Sequence, residues 1–349
     1  MKKSVTALSA LLIVFAISIK STAQEIPVKD LNVIQMKSKD FKKAPKKVFI
    51  KSFKVYYQMI AEAEKTIRGG RQLGGGSYTG DATARLAVGV EGVSSEDLQA
   101  LTNSIYNNYI NNLKGLGLEI YNSKDYPNLE FFSEMQQLDG PRINQEQIKG
   151  SLMVVPDNFS YYVNKVTKKG KEKGSLLTNI QGSYGDLGSA LYHKGLPKVS
   201  KELEDMIVID IAINVPSIYL DPKSALGTVK IKGGANLRLE NARATYVSGK
   251  MKSPGAATPE RAIELTLKKP VQIPEVFGSQ DFKSQATKQT TSVPSYASFF
   301  TVEDVSVQLS NTIKCDADTY KKEVGDIINE FLTASVDKLK AGMNGEKVK

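Results

Sequence analysis

The sequence predicts an α/β or α+β fold, a mixed sheet with packed helices and long antiparallel strands in the C-terminal half. Three patterns predict it. A capped amphipathic helix lies between short apolar strands near residue 100. Five β-branched residues, Ile207, Ile209, Ile211, Ile213 and Val215, alternate with a mixed opposite parity, the pattern of an interior strand. Long alternating segments follow, and a second amphipathic helix closes the chain. Apolar residues make up 41% of the 349, enough for a packed core.

Residues 1–23 read as a signal peptide. Lys2 and Lys3 precede an apolar run from Val5 to Ile19, and Ser21-Thr22-Ala23 offers small residues at a cleavage site before Gln24. The run is too short for a comfortable membrane span. Export to the periplasm or beyond by a Sec-type route is therefore expected. A lipoprotein requires cysteine directly after the cut, and Gln24 stands there. With Cys315 as the single cysteine, no intramolecular disulfide can form. Cys315 is expected to be a small buried side chain near a strand end.

Residues 24–45 read as an extended basic lead-in, residues 46–340 as one α/β domain, and residues 341–349 as a disordered tail. Val48 to Tyr56 is the first strand and Arg85 to Val90 the next, with a six-glycine loop from Gly69 to Gly80 between them. Ser94 followed by Asp97 is an N-terminal helix signature. Leu98, Leu101, Ile105, Tyr109 and Leu113 then form one apolar face, and Gly115 and Gly117 end the helix. Leu118 to Tyr121 resumes as a strand, so a βαβ-type unit is expected.

Phe131 to Leu138 suggests a short helix and Ser151 to Val155 a strand. Residues 165–195, rich in Gly, Lys and Ser, suggest an insertion. A short helix is expected over Ser200 to Asp205, before the Ile207 to Val215 strand. Thr228 to Glu240 reads as one long strand: a hairpin at Gly233-Gly234 would pair Ile231 with Asn236, placing apolar against polar on one face. The glycines then mark a bend or bulge. Ala244 to Val247 and Ala262 to Leu267 are further strands, and Val305 to Ile313 a last one. Asp318 is expected to cap a helix with the apolar face Tyr320, Val324, Ile327, Ile328, Phe331, Leu332 and Leu339.

The order of these elements resembles the CsgG-like and TolB amino-terminal-like envelope domains. The resemblance is carried by Val48 to Val55, Leu98 to Leu113 and Leu118 to Tyr121. It extends through Met206 to Val215 and Gly227-Thr228-Val229-Lys230 to Leu239-Glu240-Asn241-Ala242. It implies a sheet with packed helices in an envelope setting and transfers no functional residues. The chain departs from the family in lacking a lipidation cysteine and propeller repeats.

Net charge is +10, about +7 once Lys2, Lys3 and Lys20 leave with the signal. Eight lysines fall between Lys37 and Lys54, and Lys165, Lys168, Lys169, Lys171 and Lys173 form a second cluster. Such clusters are either solvated surface or a means of attracting anionic envelope polymers. Arginine is scarce, which disfavours nucleic acid. One histidine and one cysteine cannot build a histidine-rich or thiolate zinc site. His193 lacks a G-x-S-x-G elbow for acyl transfer. Gly74 to Gly80 is followed by Asp81-Ala82 where a phosphate loop needs Lys-Ser/Thr, and Gly182 to Gly188 opens no helix after a strand.

Asp210, on an apolar strand, is the acid whose burial would matter. A structural, hydrogen-bonded aspartate is the alternative. Tyr56-Tyr57 and Tyr161-Tyr162 could line a carbohydrate or peptide surface, but strand neighbours face opposite ways, so at most one of each pair can join. No catalytic, cofactor-binding or metal-ligating residue is assigned, and no cofactor is expected. The leading expectation is an exported non-enzymatic protein that binds or helps assemble an envelope protein or anionic polymer. The alternatives are a secreted carboxylate-dependent hydrolase and a pore or assembly built from the long strands.

Overall fold

The computed structural model describes residues 26–71, 78–140, 142–144, 150–163, 165–166, 172–173, 195–225, 227–252, 258–274, 276–287, 298–302 and 305–348. Leu31–Met36 (β1) and a 3-10 turn over Ser38–Lys43 precede Lys47–Gln58 (β2). Ile60–Ile67 (β3) and Ala82–Glu91 (β4) lead to helix α1, Ser95–Gly115, and then to Glu119–Tyr121 (β5). Gln136–Asp139 (β6), Arg142–Asn144 (β7), Ser151–Val155 (β8) and Ser160–Val163 (β9) come before helix α2, Gly195–Glu202.

Next come Ile207–Val215 (β10), Ile218–Ala225 (β11), Thr228–Ala235 (β12) and Arg238–Lys250 (β13). Pro259–Leu267 (β14), Val271–Gln272 (β15) and Asp281–Thr287 (β16) follow. Ser298–Val302 (β17), Val305–Leu309 (β18) and Asn311–Lys314 (β19) lead to helix α3, Ala317–Met343.

A nine-stranded mixed sheet forms the centre, in the order β1-β14-β13-β10-β2-β8-β7, with β5 beside the start of β2 and β15 beside β13. β10 lies between a parallel neighbour, β2, and an antiparallel one, β13, and is buried on both faces. Helices α1 and α3 cover one face. Leu98, Leu101, Ile105, Tyr109 and Leu113 of α1 and the expected apolar face of α3 are all buried there with Ile209, Ile211 and Ile263. α2 covers the other face, packing Leu196, Val199 and Leu203 on Phe49, Val208 and Val247.

Hydroxyls tie the helices to the sheet. Tyr109 donates to Tyr246 (3.1 Å); Ser335 spends its own proton on the Leu332 carbonyl, so Tyr246 donates to Ser335 (2.7 Å). Each member of this relay is satisfied, as burial requires.

Two three-stranded sheets stand beside the main one. β3 and β4 form an antiparallel arm that β19 joins in parallel, and β12 pairs with both β11 and β16. These two sheets pack face to face: a Cβ on Gly233 would lie 3.0 Å from the Leu86 side chain.

The α+β character, the mixed sheet and the long antiparallel strands follow the sequence expectation. Ser94 caps α1 with a reciprocal bond to Asp97, at 3.1 and 3.0 Å. The Ser94 amide, and Lys321 after it, hold the Asp97 carboxyl below its usual range.

Several expectations are corrected. The strands flanking α1 do not form one βαβ unit, because β4 pairs with its hairpin partner β3 whereas β5 lies parallel to β2. Phe131 to Leu138 holds no α-helix; a 3-10 turn over Glu130–Phe132 is followed by β6. α2 starts at Gly195 and ends at Glu202, earlier than expected.

Thr228 to Glu240 is not a single strand. It breaks at Asn236-Leu237, where the chain leaves the small sheet for the main one and the Asn236 amide donates to the Ser217 carbonyl (2.8 Å). The Gly233-Gly234 pair is no hairpin turn, and it marks no bulge, since β12 keeps continuous register with both neighbours. Ser310 divides the expected last strand into β18 and β19.

Asp316, rather than Asp318, caps α3, accepting from the Thr319 amide at 2.8 Å. The lead-in contains β1, which pairs with β14, and the tail is not loose: α3 runs to Met343 and Val348 is buried. Of the glycine loop, Gly70–Arg71 pairs with Tyr78–Thr79 and residues 72–77 lie outside the described residues. In the expected insertion, Lys165–Val166 pairs with Glu172–Lys173. Among the described residues, no helix is long and apolar enough to cross a membrane.

Candidate functional site: a cleft beside an aromatic cluster

The α2 side of the sheet is apolar only beneath that helix. Further along the strands the same face turns polar. Where β2 runs beside β10, Ile50 pairs with Ile209 but Ser52 with Asp210, so Lys51 is an extra residue in the strand. Bulges re-aim side chains, and this one brings the Lys51 ammonium to 3.5 Å from the Asp210 carboxylate. Arg243 approaches the other Asp210 oxygen at 3.4 Å. Thr245 donates to Glu264 (3.0 Å) on the neighbouring strands. Asp210 and Arg243 are 6% and 2% exposed, so this is an internal ion cluster. Of the two readings the sequence left for Asp210, the structural one matches this geometry: the acid is held between two cations.

The antiparallel β6–β9 strand pair carries Tyr161 and Tyr162. Strand alternation sends Tyr161 inward and Tyr162 to the opposite side. Tyr161 is fully buried, with the Lys54 ammonium 4.5 Å from its ring centre, a cation–π contact. Tyr162 is half-buried and stacks on Phe132, with ring centres 4.0 Å apart and planes within 10°. Phe131, Phe49 and Tyr126 continue the aromatic cluster. One member of this pair joins an aromatic patch, within the limit set by alternation. Tyr56 and Tyr57 are both buried, and neither reaches a surface.

Beside the cluster lies a cleft of about 620 Å³. Glu130, Phe131, Ser133, Glu134 and Met135 form one wall; Lys198, Lys201 and Glu202 of α2, with Lys250 from the end of β13, form the other. Acids thus gather on one side and lysines on the other, with Phe131 and Met135 supplying apolar surface.

The one acid on the lysine wall is already engaged. Both Glu202 carboxylate oxygens accept backbone amides, one from Glu130 and one from Phe131 (3.2 Å), which anchors the 3-10 turn to α2. Gly195 makes room for the Phe131 ring, which a Cβ there would strike. Comparison with protein-family models, curated proteins and solved structures finds no match.

The cleft combines three acids, three lysines and one hydroxyl. Its single hydroxyl, Ser133, has no histidine beside it among the described residues, and His193 lies outside them. Gly182 to Gly188 also lies outside them, as do residues 74–77 of the other glycine-rich stretch. Cys315 follows β19, half-buried, with its thiol on the Glu91 carbonyl (3.6 Å); burial pushes its pKa up to about 11, so the reactive thiolate is suppressed.

The cleft residues were absent from the sequence reading for a physical reason. They come from three segments, residues 130–135, 198–202 and 250, and none carries a spacing signal. The Phe131 region did attract attention, but as a helix.

Proposed function

We propose that this is an exported, non-enzymatic envelope protein that binds or helps assemble another envelope component through the cleft. One observation carries the reading: the cleft sets acids, with Phe131 and Met135 beside them, against lysines, while its cross-wall acid Glu202 is committed to backbone amides. A peptide segment of a partner protein, with an apolar side chain between charges of both signs, is the complementary occupant. The signal-like N-terminus supports the envelope setting, as does the resemblance to CsgG-like and TolB amino-terminal-like domains.

The test is cross-linking of the exported protein in envelope extracts, comparing wild type with Phe131→Ala/Met135→Ala. A partner peptide mapped to the cleft in wild type and lost in the variant is the expected result. Identical cross-links from both proteins would overturn the reading. The hydrolase alternative retains one favouring observation, that Glu130 and Glu134 both line the cleft. It gains ground only if wild type hydrolyses a glycoside panel and Glu134→Gln abolishes that activity.

A further inference from the structure

The small sheet β11–β12–β16 has an inner face and an outer one. Val229, Ile231 and Gly233 point inward to the β3–β4 arm. Period-two geometry therefore places Lys230 and Lys232 outward. Register adds two more lysines to that face: Lys223 stands directly opposite Lys230, and Lys283 directly opposite Lys232. The four form a stepped diagonal across three strands. Steps across strands are about 5 Å and the step along β12 about 7 Å at the backbone.

Like charges in directly opposed positions destabilise a sheet, and here the arrangement occurs twice side by side. Asp221 bonds Lys223 at 2.8 Å and stands directly opposite Lys232, so one carboxylate sits among the four lysines. Among the described residues no carboxylate forms an ion pair with Lys230, Lys232 or Lys283. Desolvation, and then Lys283, Lys232 and Lys223, lower the Lys230 pKa, so the mutual repulsion is felt at that site. None of these lysines belongs to the clusters that stand out in the sequence.

We propose that Lys223, Lys230, Lys232 and Lys283 form a binding stripe for a linear polyanion, an anionic polysaccharide chain of the envelope. The stripe is narrow, not a disc. Asp221 lies on its β11 side, and at its end Tyr219 reaches across Gly234 to donate to the Asp281 carboxylate (2.9 Å), so an acid bounds the stripe there. A bilayer would favour a broad patch with apolar side chains to insert. This face has none: the one large exposed apolar side chain among the described residues is Val28, outside these strands. Lysines, as mobile point charges, suit repeated anions along a chain better than a single bidentate site. The stripe is separate from the cleft, so its fate does not decide the cleft reading.

The experiment measures binding of the exported protein to polygalacturonate and to phosphatidylglycerol vesicles over a salt series. Wild type is expected to bind the polymer, with affinity falling as salt rises. Lys230→Gln/Lys283→Gln, which removes one charge from each opposed pair, should weaken binding about tenfold and flatten the salt dependence. The same variant should keep or raise the melting temperature, since it relieves repulsion. Lys42→Gln/Lys43→Gln, from the sequence-obvious cluster, should bind as wild type does. Equal losses in the two variants, no polymer binding by wild type, or binding to vesicles alone would each overturn the proposal.

Discussion

At the scale of single residues, Asp210 shows how burial and chemistry separate. A carboxylate on an apolar strand invites a functional reading, because desolvation disfavours its charge. Here the Lys51 bulge and Arg243 supply compensating charge at 3.5 and 3.4 Å. Removing one partner of a buried ion pair strands the other, at a cost of about 3–5 kcal/mol. Asp210→Ala should therefore lower unfolding stability by about that amount, read from urea denaturation. Asp210→Leu/Arg243→Met should recover most of the loss, since apolar replacements remove both charges. A loss below about 1 kcal/mol in Asp210→Ala would show that the cluster is not energetically coupled. That Asp210 lies on a buried strand was legible from alternation; that two cations meet it was not, because Lys51 and Arg243 sit on other strands.

At the scale of elements, the helices were the most legible part. Ser94 with Asp97, and the apolar faces of α1 and α3, are signals confined to a few turns, and local signals survive into the fold. The glycine pair of β12 behaves differently. Gly233 accommodates Leu86 and Leu220 on the inner face; Gly234 accommodates Tyr219 and the Asp281 carboxylate on the outer. Both are imposed by neighbours from other strands, so no local turn or bulge rule could assign them. Gly233→Val should overpack the contact between the two small sheets and cost about 1–3 kcal/mol. Unchanged thermal unfolding would mean that the sheets separate easily. The strand change at Asn236-Leu237 has the same origin: the alternation continues almost unbroken while the hydrogen-bonding partners change.

At the scale of the whole molecule, the two ends of the described chain complete the main sheet and its cover. β1 occupies the edge beside β14, and the Ile26 amide donates to Glu330 on α3. The end of α3 returns to the 3-10 turn at residues 38–43, where Gly342 leaves a space that a Cβ would fill within 2.9 Å of the Ser38 carbonyl. Deleting residues 26–45 should therefore lower the melting temperature and expose the β14 edge. Exposed edges pair with other chains, so size-exclusion should show concentration-dependent self-association. A monomeric truncation with unchanged melting would refute this role for the lead-in. Composition alone pointed the other way, since a lysine-rich segment with short apolar stretches carries little periodicity.

Periodicity and capping along the chain by themselves determined the fold class, the interior character of Ile207–Val215 and the buried faces of both long helices. Each depends on interactions within one element, or on a solvent preference that repeats at a fixed interval. Tertiary structure alone decided which strands share a sheet, where the chain crosses between sheets, and which charged and aromatic side chains meet. The cleft walls and the four-lysine stripe join residues far apart in sequence, and strand register, a property of pairs of strands, sets which of them face each other.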